Sequence, residues 1–227
     1  MTRRERRGEE TRARIFEAAL ASFRERGFAR TTMRDVAQNA GTSLGSAYYH
    51  FGSKEQIVHA YYDRVTRERL ARVTERLEGV DDLETRIRLS FHTHFDIVAA
   101  DRRLLGALVQ SVADPESPVS IFSADTVEVR ERVLRQFEAV VDVPQVPEHL
   151  RDLAVLALWV LDLALVLYFI WDASPDRART RQLIDDAVTA IMPLVPLLAS
   201  PFAEPMIGHL ARTLVRAGLV PTGRNPE

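Results

Sequence analysis

Apolar residues recur along nearly the whole chain at intervals of three and four, the spacing of one face of an α-helix. Ile15, Ala18, Ala19, Leu20 and Phe23 form such a stripe between about Glu10 and Arg26, and Gly27 closes it. A longer stripe of Val58, Tyr61, Tyr62, Val65, Leu70, Val73 and Leu77 runs between Ser53 and Glu78. Leu83, Ile87, Phe91, His94, Phe95 and Val98 then share a face between Asp81 and Ala99. Further helices are expected at about Arg102–Val112 and Pro118–Val141, the second carrying Ile121, Phe122, Val129, Val133, Leu134 and Phe137. The last three fall at about Pro147–Asp172, Pro175–Leu198 and Glu204–Ala217. Nothing alternates with the period of two that marks a strand, so the fold class is all-α.

The breaks carry the chemistry of turns. Asp114-Pro115-Glu116-Ser117-Pro118 is a loop by its prolines, Pro144 and Pro147 interrupt the chain again, and Pro193 and Pro196 should kink or end the helix they follow. Residues 1–9 are polar and Arg-rich and read as a mobile arm whose arginines could reach phosphates or a minor groove.

One stretch is organised differently, as two short helices close together. Thr32 can cap a helix, with Asp35 three residues on as its capping-box partner. Val36, Ala37 and Ala40 give that helix a small apolar face, and Gly41 can end it in the left-handed conformation. Ser43 can cap a second helix running through Ser46, Tyr48 and Tyr49 to about His50. Helix, short glycine-containing turn, helix is the helix-turn-helix pattern, whose second helix enters the DNA major groove.

The run Asp35-Val36-Ala37, Ala40-Gly41-Thr42-Ser43, Gly45-Ser46, Tyr48-Tyr49-His50-Phe51 and Ser53-Lys54-Glu55 closely resembles the DNA-binding domain of the tetracycline-repressor (TetR) family. The likeness extends back through Ile15–Leu20, Phe23, Gly27-Phe28 and Thr31-Thr32, about the first quarter of the chain. Two positions depart from the family pattern: Thr42 stands where Val or Ile is common, and Ala47 where Leu is common. The resemblance implies an arm over 1–9, a DNA-binding domain over 10–55 and a ligand-binding and dimerisation domain over 56–227. It also implies a homodimer that represses from a roughly palindromic double-stranded operator and is released by a small-molecule inducer. The long helix from Ser53 would then link ligand pocket and DNA head.

Residues for each role follow. Ser43, Leu44, Ser46 and Ala47 are placed on the exposed side of the second short helix, small enough to approach base edges. Tyr48, Tyr49, His50 and Lys54 fall where the family's phosphate and base contacts lie, and Thr32 and Thr42 complete the expected DNA-contacting set. The plainer reading of the two tyrosines is core aromatics; the expected outcome is a division, one ring half-buried with its hydroxyl at a phosphate. For the ligand, Tyr62, Phe91, His94, Phe95, Phe122, Phe137, Trp159 and Asp162 supply enough rings to line a pocket for an apolar molecule.

Asp162 is unusual because Leu153–Trp171 is apolar at all of its positions but this one. Either it pairs with an arginine, with Arg181 a candidate, or it is the counter-charge for a cationic ligand. His94 equally suits a pocket wall or a hydrogen-bonded core. Leu153–Trp171 is long enough to span a bilayer, but Asp152 and Asp172 bracket it and no basic flank adjoins it, so burial against a core and a dimer partner is expected. The following helix offers Leu183, Ile184, Ala187, Val188 and Ile191 to that same interface.

Charge sharpens the division of labour. Residues 1–55 hold eleven Arg or Lys against seven Asp or Glu, while the remainder holds nineteen against twenty-five. A basic head on an acidic body suits a DNA binder with a separate second domain. Absence of cysteine excludes disulfides, thiolate metal sites and a cysteine nucleophile. His92 and His94 diverge by about 200° on a helix and cannot share a metal. No P-loop, dinucleotide-binding glycine motif or nucleophile elbow is present, so neither enzyme activity nor a cofactor is expected. Charges, not an apolar stretch, follow Thr2-Arg3-Arg4-Glu5-Arg6-Arg7, so no secretory signal is expected and the cytoplasm is the expected compartment. The alternative reading is a helical small-molecule binder whose DNA head has lost its function.

Overall fold

A computed structural model describes residues 2–114, 116–200 and 202–216. Among them are eleven α-helices and no strand. The expected turn at Pro115 and the tail from Ala217 lie outside the described residues. The chain forms two compact units, Met1–Arg67 with Val98–Arg130, and Glu68–Ile97 with Glu131–Glu227. The first therefore reaches beyond the helix-turn-helix motif.

In the first unit, α1 (Arg3–Arg26) packs on α2 (Met33–Asn39) and α3 (Leu44–His50). The expected arm is helical from Arg3, because Thr2 and Glu5 form a capping box: Thr2 N–H donates to Glu5 Oε2 at 2.6 Å, and Glu5 N–H to Thr2 Oγ1 at 3.3 Å. Its inner face, Ile15, Phe16, Ala19, Leu20 and Phe23, is buried with Val36 and Ala37 of α2 and Ala47 of α3. Ser22 is buried too; its hydroxyl accepts from Asn39 Nδ2 at 2.9 Å and so ties α1 to α2. The same unit contains the first half of α4 (Lys54–Leu77) and α6 (Arg102–Ala113), which packs on α1.

Residues expected to begin a long helix at Pro118 instead form turns, with a 3-10 turn at Ala124–Thr126, and α7 spans only Val127–Val141. Serine and threonine hydroxyls account for the difference. Ser123 Oγ caps the Asp125 N–H, Ser120 Oγ accepts from the Phe122 N–H, and Thr126 Oγ1 donates to the Ser120 carbonyl. Such local bonds offer the backbone an alternative to the helical ladder.

The second unit contains the rest of α4, α5 (Leu83–Ile97), most of α7, α8 (Glu148–Trp171), α9 (Ala178–Ile191), α10 (Leu194–Leu198) and α11 (Glu204–Arg216). Phe91 and Phe137 meet at 5.8 Å between ring centres, and Phe95 and Phe169 at 5.3 Å. The segment expected as one helix from Pro175 to Leu198 is divided. Asp176 (φ 48°) and Arg177 (φ 56°) are left-handed before α9 starts. Asp172 holds this bend, accepting from the Ser174 and Thr180 N–H groups and from both hydroxyls at 2.6–2.9 Å. At the other end Pro193 starts α10.

Candidate functional site

The geometry of the helix-turn-helix follows from its caps. Thr32 Oγ1 accepts from the Asp35 N–H at 3.2 Å, and the Asp35 carboxylate accepts from the Thr32 N–H at 2.9 Å. The Thr32 hydroxyl also donates to Asp35 Oδ2 at 2.6 Å, and this bond, then the one from the Thr32 N–H, holds the Asp35 carboxyl below the usual carboxylate range. Gly41 (φ 60°) ends α2. The Thr42 N–H bonds the Ala37 carbonyl at 3.0 Å and the Gly41 N–H the Gln38 carbonyl at 3.1 Å, the paired bonds of a Schellman motif. Ser43 Oγ then caps α3 by accepting from the Ser46 N–H at 3.1 Å.

α3 presents Tyr49 at 85 % exposure and Tyr48 at 50 %, so the rings divide as a bare one and a half-covered one. Ser43 is exposed, while Thr42, Leu44, Ser46 and His50 are partly covered. Ala47 is not on the outer side: it is fully buried, and its small side chain lets α3 seat against the head. Its expected base contact gives way to packing.

Lys54 also has a different task from the one expected. Its ammonium donates to the carbonyls of Phe28 at 2.9 Å and Thr31 at 3.3 Å, and stands 4.3 Å from the centre of the Phe28 ring. It therefore clamps the turn between α1 and α2. A phosphate contact would have to compete with these bonds.

A second centre lies in the other unit. Arg69, on α4, is 2 % exposed and meets the Asp162 carboxylate through both terminal nitrogens, at 2.9 and 3.2 Å. His94 Nδ1 lies 2.9 Å from Asp162 Oδ1 and 3.1 Å from Arg69 Nη1. Burial pushes the Asp162 carboxyl up, but Arg69 and His94 outweigh it and hold it well below the ordinary range. Burial, reinforced by Arg69, holds His94 below its ordinary value. The group is thus an ionised Arg–Asp pair beside a neutral imidazole. Nδ1 faces a carboxylate, which calls for a ring N–H there, and a guanidinium nitrogen, which calls for a lone pair, so the tautomer decides which of the two contacts is a hydrogen bond. The guanidinium also stands 5.0 Å from the Phe137 ring centre.

This overturns Arg181 as the partner of Asp162: Arg181 pairs with Asp96 at 2.8 Å. Arg69 was hidden among the many arginines of α4, although 65, 69 and 73 share an inward face at four-residue spacing. Phe91, Phe95, Phe137, His94 and Trp159 are buried in the same unit as Asp162. Tyr62 and Phe122 belong to the first unit, where Tyr62 donates to the Val119 carbonyl at 3.3 Å and Phe122 is 57 % exposed. Burial pushes the Tyr62 hydroxyl above its ordinary value.

α8 is, among the described residues, the one helix long and apolar enough to cross a membrane. Val155, Leu158, Trp159, Asp162, Leu165 and Phe169 are buried, whereas Val160, Leu167, Tyr168 and Trp171 form an exposed stripe. On α9, Ile184 and Val188 are buried within the chain, so the face expected to be wholly intermolecular is turned inward there. Leu183, Leu194 and Leu197 remain outside. No group of side chains suited to a metal ion occurs among the described residues.

Among the described residues the chain is all-helical, with a helix-turn-helix in its first unit and a buried charged group in its second. The family model of bacterial regulatory proteins, tetR family, matches residues 15–61. That of the tetracyclin repressor-like C-terminal domain matches residues 86–203, more than half of the chain. The chain belongs to the TetR family. It is 40 % identical over 100 residues to the transcriptional regulator TtgR of Pseudomonas putida, covering 42 % of this chain and 48 % of that one. Over 47 residues it is 51 % identical to the transcriptional repressor KstR2 of Mycobacterium tuberculosis, covering 21 % and 24 %. The chain thus spans about half the length, or less, of these curated relatives. The fold matches FadR of Bacillus subtilis, solved in complex with stearoyl-CoA, with a TM-score of 0.62 at 16 % identity, covering 78 % of this chain and 96 % of that one.

Proposed function

We propose that the protein is a transcriptional repressor that binds a roughly palindromic operator as a homodimer and leaves it when a small molecule binds. The observation that carries this reading is α3, a capped helix on a rigid basic head, holding Tyr48 and Tyr49 out of the protein surface. An exposed phenol ring on such a helix suits phosphate and base-edge contact, with Thr32, Thr42, Ser43, Leu44, Ser46 and His50 as the further proposed contacts. The exposed stripe of α8, with Leu183, Leu194 and Leu197, supports pairing with a second copy, since so apolar a surface is costly to leave in water. Regulators of this family bind DNA and small molecules, typically as dimers, and KstR2 is a repressor by name. A cytoplasmic location and the absence of catalysis accord with that role.

Within the second unit, Phe91, Phe95, Phe137 and Trp159 favour an apolar ligand. Asp162 already has its counter-charge in Arg69, so a cationic ligand would have to displace a guanidinium. Footprinting on the DNA upstream of the protein's own gene, with affinity followed against salt, tests the proposal. A protected palindrome whose log affinity falls steeply with log salt is expected, as several phosphate contacts require. A protein that takes up small apolar molecules but gives no protected site would establish the alternative, a ligand-binding helical protein with an idle head.

A further inference from the structure

The first unit contains a junction that lies outside the helix-turn-helix motif. Asp101 stands immediately before α6 and is 8 % exposed. One carboxylate oxygen accepts from Arg24 Nη2 at 2.6 Å, on α1, and the other from the Tyr61 hydroxyl at 3.1 Å, on α4. Tyr61 is 1 % exposed, and burial, then the Asp101 charge, pushes its hydroxyl well above the ordinary value. Three helices therefore meet on one side chain. A second tie runs beside it: Arg64 of α4 pairs with Glu17 of α1 at 2.8 Å and lies 4.8 Å from the Phe16 ring centre.

Arg24 is three residues before Gly27, where the chain turns toward α2. Lys54 clamps the carbonyls of that same turn. The end of α1 is thus held from both sides, by Lys54 through the turn and by Asp101 through Arg24. Because α2 and α3 pack directly on α1, a change in the Arg24–Asp101 contact moves the surface that seats the recognition helix. We propose that Asp101 is a positioning residue for DNA binding: by joining α6 to α1 and α4, it sets the orientation in which α3 is offered to the major groove. This rests on the DNA-binding reading above and goes beyond it by naming where the head is held. A displacement of α6 would be felt by the head through this carboxylate.

Because the chain has no cysteine, Gln38→Cys on α2 and Gln110→Cys on α6, both at exposed positions, take spin labels uniquely. In the full-length protein, diluted with unlabelled chain, the distance between them should be narrowly distributed. Asp101→Asn should broaden or shift it, and Tyr61→Phe, which removes a single hydroxyl, should do so to a smaller degree. Affinity for the footprinted upstream DNA should fall about tenfold in Asp101→Asn, while affinity for the same site cut to one half stays unchanged. A lone head can adjust to one groove; two heads must match two grooves about one helical turn apart. A purely structural role would lower both affinities together through the unfolded fraction, or neither. Unaltered distances in both variants, or parallel losses on full and half sites, would overturn the proposal. Should the wild-type protein bind no DNA, the proposed function would fall, and the distance distribution alone would decide whether Asp101 holds α6 to the head.

Discussion

Removing Arg69 should reveal what the buried charged group does. In Arg69→Met the Asp162 carboxylate stays 4 % exposed but loses the guanidinium that holds it ionised. Breaking a buried pair from one side costs about 3–5 kcal/mol. That is a large part of the roughly 5–15 kcal/mol that stabilises a typical domain. At about 2–4 °C per kcal/mol for a chain of this size, the melting midpoint should drop roughly 6–20 °C. Asp162→Leu should cost a similar amount, because Arg69 would then be the unpaired buried charge. The double variant Arg69→Met with Asp162→Leu removes both charges at once. Its remaining loss is that of His94 Nδ1 left without a hydrogen-bond partner, about 1–3 kcal/mol. Urea unfolding of the four proteins at one fixed protomer concentration closes the cycle. Losses below about 1 kcal/mol in the single variants, or a double variant that merely adds them, would show that the pair does not act as a buried unit.

Lys54→Ala should destabilise the head by about 1–3 kcal/mol, as expected for lost charge-assisted bonds to carbonyls, and leave the salt slope of DNA binding unchanged; a slope lowered by about one with stability intact would return Lys54 to the phosphate backbone. Acidification should destabilise the protein in two steps. Both Asp162 and His94 have depressed folded-state values, so the unfolded chain binds more protons and stability falls with pH. The His94 contribution is lost below about 6.5 and that of Asp162 below about 3.9, the ordinary values of the unfolded groups; urea midpoints from pH 8 to pH 3 that rise on acidification would contradict this. Asp172→Ala should remove the cap that holds the left-handed pair Asp176-Arg177, at about 1–2 kcal/mol, and amide exchange at Thr180 should accelerate while exchange in α5 does not.

Much of the fold was legible because its signals are local. Thr32 and Asp35 specify a capping box, and Gly41 a left-handed stop, from neighbours within four residues in sequence. The apolar spacing of α1, α4, α5 and α8 likewise needs no knowledge of what each helix packs against. Local signals misled where polar side chains compete for the backbone. Thr2 and Glu5 nucleated a helix in a stretch that composition alone reads as an arm, and Ser120, Ser123 and Thr126 dissolved the start of one that periodicity predicts.

The charged contacts were decided only by tertiary structure. Asp162 announced itself as a carboxylate in an apolar helix, yet its partner comes from 93 residues earlier in the chain, and no spacing rule selects Arg69 over Arg181. Lys54 carries the same charge whether it faces a phosphate or the carbonyls of Phe28 and Thr31, and only the path of the turn after Gly27 settles which. Asp101 gave no sign at all. A carboxylate before a helix is ordinary in sequence, and it became a junction because α1 and α4 bring Arg24 and Tyr61 to its two oxygens. Helical periodicity is a property of neighbours along the chain, whereas the pairing of charges depends on distances that exist only once the helices have packed.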